Sequence, residues 1–129
     1  DLFMRQKRII RVITNSKFLS HTAPLFKTLS ILPLNSLNDF QLAWFVFSMP
    51  KNLLRDKFCS MFEPNSNTHS HDTRHKSDLT HVYHRLTLRS VTVRIHGITL
   101  WNSLSDELKN CHNIIHFKRL YKHFIISNL

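Results

Sequence analysis

Residues 63 to 77, EPNSNTHSHDTRHKS, contain no large apolar side chain and are rich in turn formers, so no packed core can be built from them. They are expected to form an exposed polar loop that separates two apolar blocks. The organisation this implies is a basic and aromatic helical segment over residues 1 to 62, a polar loop over 63 to 78, and a β-hairpin-like element followed by C-terminal helices over 79 to 129. A chain of 129 residues buries roughly two-thirds of its unfolded surface, enough for one core, so all three parts are expected in a single small domain.

Within the first block, LFMRQKRIIRVITN at 2 to 15 places Leu2, Phe3, Gln6, Ile9, Ile10 and Ile13 at helical spacing, with Arg5, Lys7, Arg8 and Arg11 on the other side. His21-Thr22 can cap a short helix with Pro24 in its first turn and Leu25, Phe26 and Leu29 facing inward. A third helix is expected from about Ser36, its broad face of Leu37, Phe40, Gln41, Trp44, Phe45 and Phe47 ending at Pro50. Leu53, Leu54, Phe58, Met61 and Phe62 suggest a further short helical turn.

Beyond the polar loop, residues 79 to 88 and 90 to 96 carry Val, Tyr, Thr and Ile with partial period-two alternation, which reads as two short strands. Gly97, the only glycine, is expected at a backbone turn that a side chain would obstruct. Asn102-Ser103 offers a helix cap with Asp106 and Glu107 in the following turn. A last helix over about 113 to 127 turns Ile114, Phe117, Leu120, Tyr121 and Phe124 to one side and Lys118, Arg119, Lys122 and His123 to the other. The fold class is therefore mainly α with a small two-stranded β element. Trp44 and Trp101, with apolar neighbours, read as core anchors.

Eighteen Lys and Arg against eight Asp and Glu give a formal net charge of +10. Such a balance favours a polyanionic partner through counterion release, and RNA or DNA backbone is the natural candidate. Arg5, Lys7, Arg8 and Arg11 can meet phosphates from the outer face of the first helix, and Arg74, Lys118, Arg119 and Lys122 extend that set; the alternative is a solvated face. Arg85, Arg89 and Arg94 around Tyr83 form a weaker basic surface on which a base could stack. The longest uncharged apolar run, residues 40 to 50, is too short to span a bilayer, and no signal-peptide order is present. The two cysteines, Cys59 and Cys111, make no disulfide scaffold, so an intracellular setting, nucleus or cytoplasm, is expected. No membrane or small-molecule partner is expected. The chain begins at Asp1 and enters a helical pattern at once, as a segment cut from a longer protein would.

Read in order, QKRIIRVI at 6 to 13, HTAPLF at 21 to 26, LSILPL at 29 to 34, F-x-x-N at 62 to 65, H-x-H-x-T-R at 69 to 74, G-x-x-x-WNSL at 97 to 104 and FKRLYKHF at 117 to 124 form a series. The series resembles the region downstream of the fingers and palm in reverse transcriptases of jockey-like LINE (non-LTR) retrotransposons. The family often has Tyr where this chain has His71 and Pro where it has Ser105. For the whole protein the resemblance implies RNA-directed DNA synthesis with two magnesium ions held by palm aspartates, usually in a Y-x-D-D turn. That turn is absent from this sequence. Asp39, Asp56, Asp72, Asp78 and Asp106 are scattered, whereas two-metal phosphoryl transfer needs carboxylates converging on ions roughly 4 Å apart. The chain itself is therefore expected to be no enzyme, with no catalytic residue and no cofactor, and to support the rest of the reverse transcriptase while touching nucleic acid.

His69, His71, His75, His81 and His84 invite a zinc reading, but there is no C-x-x-C and no H-E-x-x-H, and solvated histidines are the expected state. No metal site is expected. The competing functional class is a structural or protein-interaction module that docks through the aromatic face of residues 40 to 47. A mobile-element relic without selected function is a third possibility.

Overall fold

A computed structural model describes residues 1–49, 51, 53, 58, 60–68 and 77–129. Among them the chain is mainly helical: α1 (Leu2–Ile13), α2 (Ala23–Leu29), α3 (Leu34–Ser48), α4 (Asn65–Thr68), α5 (Thr87–Ser90), α6 (Val93–Ser103), α7 (Asp106–Lys109) and α8 (Ile114–Ser127). Two compact units result, the first made of residues 1–40 and 118–129 and the second of residues 41–117, so α3 and α8 each give a part to both.

In the first unit α1 starts where the Asp1 carboxylate accepts the Phe3 N–H at 3.0 Å, which satisfies an orphan donor and sets negative charge at the positive end of the helix. It stops at Asn15, whose left-handed φ of 50° a short polar side chain tolerates. α2 has Pro24 in its first turn as expected, but Thr22 before it makes no capping bond from its side chain; the helix closes through Ser30 at φ 52° with Ile31 N–H donating to the Phe26 carbonyl at 3.1 Å. The buried centre is small. Ile10, Phe26, Pro33 and Tyr121 form it, Phe3 stacks on Phe26 with centroids 6.3 Å apart, and Phe40 lies parallel to Tyr121 at 6.0 Å. Both ends of the Gln6 amide are used: Nε2 donates to the Leu32 carbonyl and Oε1 accepts from Leu34 N–H, each at 2.9 Å, which ties the α2–α3 connection to α1.

The inward face of α1 is narrower than its spacing suggests. Phe3, Gln6 and Ile10 turn in, while Leu2, Ile9 and Ile13 are exposed. Lys7 lies toward the inner side, its ammonium 4.3 Å from the Phe3 ring centroid, so the inward face combines an aromatic ring, an amide and a cation with a single aliphatic anchor, Ile10.

The second unit carries most of the buried apolar surface. Phe47 stacks on Phe117 with centroids 4.2 Å apart and packs against Trp101 at 6.4 Å; Leu42, Val46, Met49, Phe62, Leu79 and Ile98 close around them. Lys51 lays its ammonium over the Phe47 ring at 4.4 Å and donates to the carbonyls of Cys111 and His112, so one side chain satisfies the chain ahead of α8. Ser105 precedes α7, with Asp106 and Glu107 in its first turn as expected, but Asn102 and Ser103 belong to the last turn of α6 and are not its cap.

Instead, Asn102 clamps an extended piece of backbone. Its Oδ1 accepts from Leu79 N–H at 2.8 Å and its Nδ2 donates to the Leu79 carbonyl at 2.9 Å. Trp101 Nε1 donates to the Ser77 carbonyl at 3.1 Å, and Lys109 pairs with Asp78 at 2.7 Å in a nearly dry setting. Asn65 N–H to the Asp78 carbonyl and Thr80 N–H to the Glu63 carbonyl complete an isolated antiparallel bridge between Pro64 and Leu79.

That bridge is all the β structure among the described residues, and the expected two-stranded element does not form. Residues 81 to 86 have no regular structure, although Val82 and His84 turn partly inward while His81, Tyr83 and Arg85 are exposed, the alternation that suggested a strand. The intended partner, residues 90 to 96, is divided: Ser90 ends α5, Val91 and Thr92 make a turn, and residues 93 to 96 open α6. Ile95, Ile98 and Trp101 are buried at three-residue spacing, and burial of that row outweighs the weak strand preference of Val and Ile. Gly97 accordingly sits in mid-helix with ordinary φ, not at a turn. A Cβ there would lie 3.1 Å from both the Phe62 ring and the Val46 side chain, so glycine is kept for close approach at a helix cost of about 1 kcal/mol.

Part of the helical turn expected over residues 53 to 62 and part of the polar loop, residues 69–76, lie outside the described residues. At the start of that loop α4 makes one helical turn.

Candidate nucleic-acid interface

Positive charge is concentrated in the first unit. Its sequence holds nine Lys and Arg against two Asp, a net of +7, while the larger second unit holds nine against six, a net of +3. The phosphate-attracting potential therefore belongs mainly to α1, α2 and residues 118–127 of α8.

Three cations of this unit meet in one open groove of about 390 Å³, lined by Lys27 and Ser30 from the end of α2 and by Arg119, Lys122, His123, Ile126 and Ser127 from α8. Arg119, Lys122 or His123, and Ile126 recur at helical spacing and so share one side of α8. Lys27 joins them by donating to the Ser127 carbonyl at 3.0 Å. That bond places a cation at the negative end of the α8 dipole, where an anion would otherwise be repelled. Ser127 Oγ donates to the His123 carbonyl at 2.8 Å and lies 3.4 Å from His123 Nδ1. No carboxylate of the described residues lines the groove. Guanidinium, ammonium and hydroxyl donors converging on a solvent-open concavity suit a phosphate group.

The other expected site residues are distributed differently. Arg5 and Arg8 are exposed on α1. Lys7 is engaged with the Phe3 ring, and Arg11 Nε donates to the Ser20 carbonyl at 3.0 Å, so neither projects freely. Lys118 is half-buried. Arg74 lies outside the described residues. Arg85, Arg89 and Arg94 are exposed in the second unit, with Tyr83 also exposed. Trp101 is a core residue, and Trp44 is half-buried with Nε1 donating to Gln41 Oε1 at 2.8 Å.

Lys27 and Ser30 were not singled out in the sequence. Nothing local marks them, since the groove is assembled from positions about ninety residues apart.

Among the described residues no three His, Cys, Asp or Glu side chains are grouped to hold a metal ion; His69, His71 and His75 lie outside them. His81 Nε2 is 3.3 Å from Asn102 Nδ2, and His84 Nδ1 is 3.3 Å from the Val82 carbonyl. Partial burial raises the Cys111 thiol above its ordinary value, with Lys51 pulling it down and Glu107 adding to the rise. The result is a protonated, weakly nucleophilic sulfur near neutral pH. No described helix is long and apolar enough to cross a membrane.

Compared with family models, with curated proteins and with solved structures, the chain matches none.

Proposed function

We propose that this chain is a non-catalytic, carboxy-terminal portion of a non-LTR retrotransposon reverse transcriptase, and that it supports the polymerase while gripping nucleic-acid backbone through its first unit. The family reading rests on the ordered motif series alone. The binding reading rests on one observation above others, the groove in which Lys27, Arg119 and Lys122 converge with no described carboxylate, within a unit of net charge +7. Contacts of this kind neutralise phosphates without reading bases, so they favour position over sequence.

The test is equilibrium binding of the purified chain to fluorescein-labelled single-stranded RNA and DNA of unrelated sequences across a KCl series. The expected result is affinity that falls steeply with salt and varies little with sequence. Arg119→Gln with Lys122→Gln is expected to lower affinity for every sequence and to flatten the salt slope by about one to two units. Affinity that ignores salt, or a double variant that binds as well as the parent, overturns the binding reading. The family reading is tested separately by sequencing the encoding transcript upstream of Asp1. An in-frame palm with a Y-x-D-D turn supports it, and an unrelated upstream domain removes it.

A further inference from the structure

The aromatic face of residues 40 to 47, the surface a docking module would have been expected to offer, is used in packing. Leu42, Ala43, Val46 and Phe47 are buried, and Phe40 is stacked on Tyr121. A different surface is bare. Leu2, Ile9, Val12 and Ile13 lie along the outer side of α1, and the turn that follows adds Phe18 and Leu19; Val12 is 79% exposed and Leu19 87%. On a helix, positions 2, 9 and 13 share one side, with Val12 beside Ile9 and Ile13 and with Arg5 between Leu2 and Ile9, so this is a stripe interrupted once by a cation and not a scatter of single side chains.

Its charge setting limits what can cover it. Arg5 falls within the stripe and Arg8 borders it, both exposed. Arg8 and Arg11 also rim an open groove of about 490 Å³ whose apolar lining is Val12 and Phe18 and whose remaining lining is Asn15 and Ser16. Guanidinium groups beside an apolar slot call for an occupant that brings a hydrophobic side chain and a carboxylate together. The one acid of α1's neighbourhood in sequence, Asp1, is already used to cap the helix.

We infer that the outer face of α1 docks an amphipathic helix of a partner protein, apolar along one side and bearing carboxylates beside that stripe. An aliphatic anchor fills the Val12–Phe18 slot, and acidic side chains one turn away pair with Arg5 and Arg8. A second copy of the chain fits poorly, because an isologous contact sets Arg5 and Arg8 of each copy against apolar surface or against each other with no acid to answer them. A nucleic-acid backbone offers the arginines phosphate but leaves the aliphatic row uncovered. The stripe is about four helical turns at most, so the interface is small and reversible. This surface shares no residue with the Lys27–Arg119–Lys122 groove, and the two readings stand or fall apart.

The experiment uses the intact chain and two labelled synthetic peptides of about five helical turns, with identical Leu positions along one face and either Glu or Lys flanking it. Fluorescence anisotropy is expected to show the Glu peptide binding at least about tenfold tighter than the Lys peptide. Ile9→Ser with Val12→Ser is expected to weaken the Glu peptide by about tenfold or more with an unchanged circular dichroism spectrum, and Arg5→Glu with Arg8→Glu to reverse the preference. Equal binding of the two peptides, indifference to both double variants, concentration-dependent self-association that the serine variant abolishes, or preferential binding to phosphatidylserine vesicles each overturns it.

Discussion

The two units divide the work of folding and of contact unequally. Among the described residues and leaving proline aside, thirteen of the sixteen buried apolar side chains are in residues 41–117, and three, Ile10, Phe26 and Tyr121, join Pro33 in the other unit. Net charge runs the opposite way, +7 where the core is thin and +3 where it is thick. A unit with little buried surface and strong self-repulsion gains least from standing alone and most from binding something that covers its apolar stripe or neutralises its cations. The second unit, with stacked Phe47 and Phe117, an internal Lys109–Asp78 pair and a clamped backbone, has more of its stabilising contacts within itself. Ligand-dependent stability is thus expected in one unit and ligand-independent stability in the other.

The comparison can be broken most decisively at Phe47. Phe47→Ala removes a side chain only 1% exposed from the centre of the thicker core, and a loss of about 3–5 kcal/mol is expected in urea unfolding followed by tryptophan fluorescence. A loss under about 1 kcal/mol would mean that the stacked rings carry little of the fold. Gly97→Ala sharpens the same point at smaller scale. The helix propensity gained is about 1 kcal/mol, but the new Cβ meets Phe62 and Val46 at 3.1 Å, and both are buried and hemmed in. A net destabilisation of about 1 kcal/mol is expected; a rise in midpoint would show that the pair yields.

In the thinner unit the informative group is Tyr121. Burial, with the Asp39 charge adding to it, pushes its phenol up to about 12. The folded protein therefore holds this proton more tightly than the unfolded chain does, so its contribution is complete below about pH 10 and is lost as pH rises from there towards 12. Unfolding midpoints measured across that window should fall, and Tyr121→Phe should remove this part of the fall. An unchanged slope in the variant would place the titration elsewhere. The effect is nil at neutral pH, which makes it the smallest of the three under ordinary conditions.

How much of this was legible follows from how local each signal is. α1, α2, α3 and α8 are announced by spacing, caps and proline, all written within a few residues, and they appear where expected. The region from 79 to 103 misleads because Val91, Val93 and Ile95 satisfy a period of two only if the window stops at Gly97. Carried through the glycine, Ile95, Ile98 and Trp101 declare a helix. Treating the one glycine as punctuation hid the element it belongs to, since its purpose, room for Phe62 and Val46, depends on residues far along the chain. The binding site shows the same limit. Arg119 and Lys122 are visible as a basic helix face, but Lys27 joins them only through a bond to Ser127, a hundred positions away. The orientation of α1 is likewise set by partners far along the chain, Phe26 against Phe3 and Leu32 and Leu34 against Gln6, so an expected core stripe is surface.

The pinned ends of the polar segment have a practical meaning. Asn65 and Thr80 hydrogen-bond across to Asp78 and Glu63, and Asn102 holds Leu79 from the side, so the described residues flanking 69–76 are fixed to one another. Once ends are fixed, doubling the chain between them costs only about 0.6 kcal/mol. With its flanks tied together, the chain between residues 68 and 77 is the place to splice in foreign sequence, and an epitope, a fluorescent domain or a protease cleavage site added there is expected to be carried by the anchor with both units folding as before.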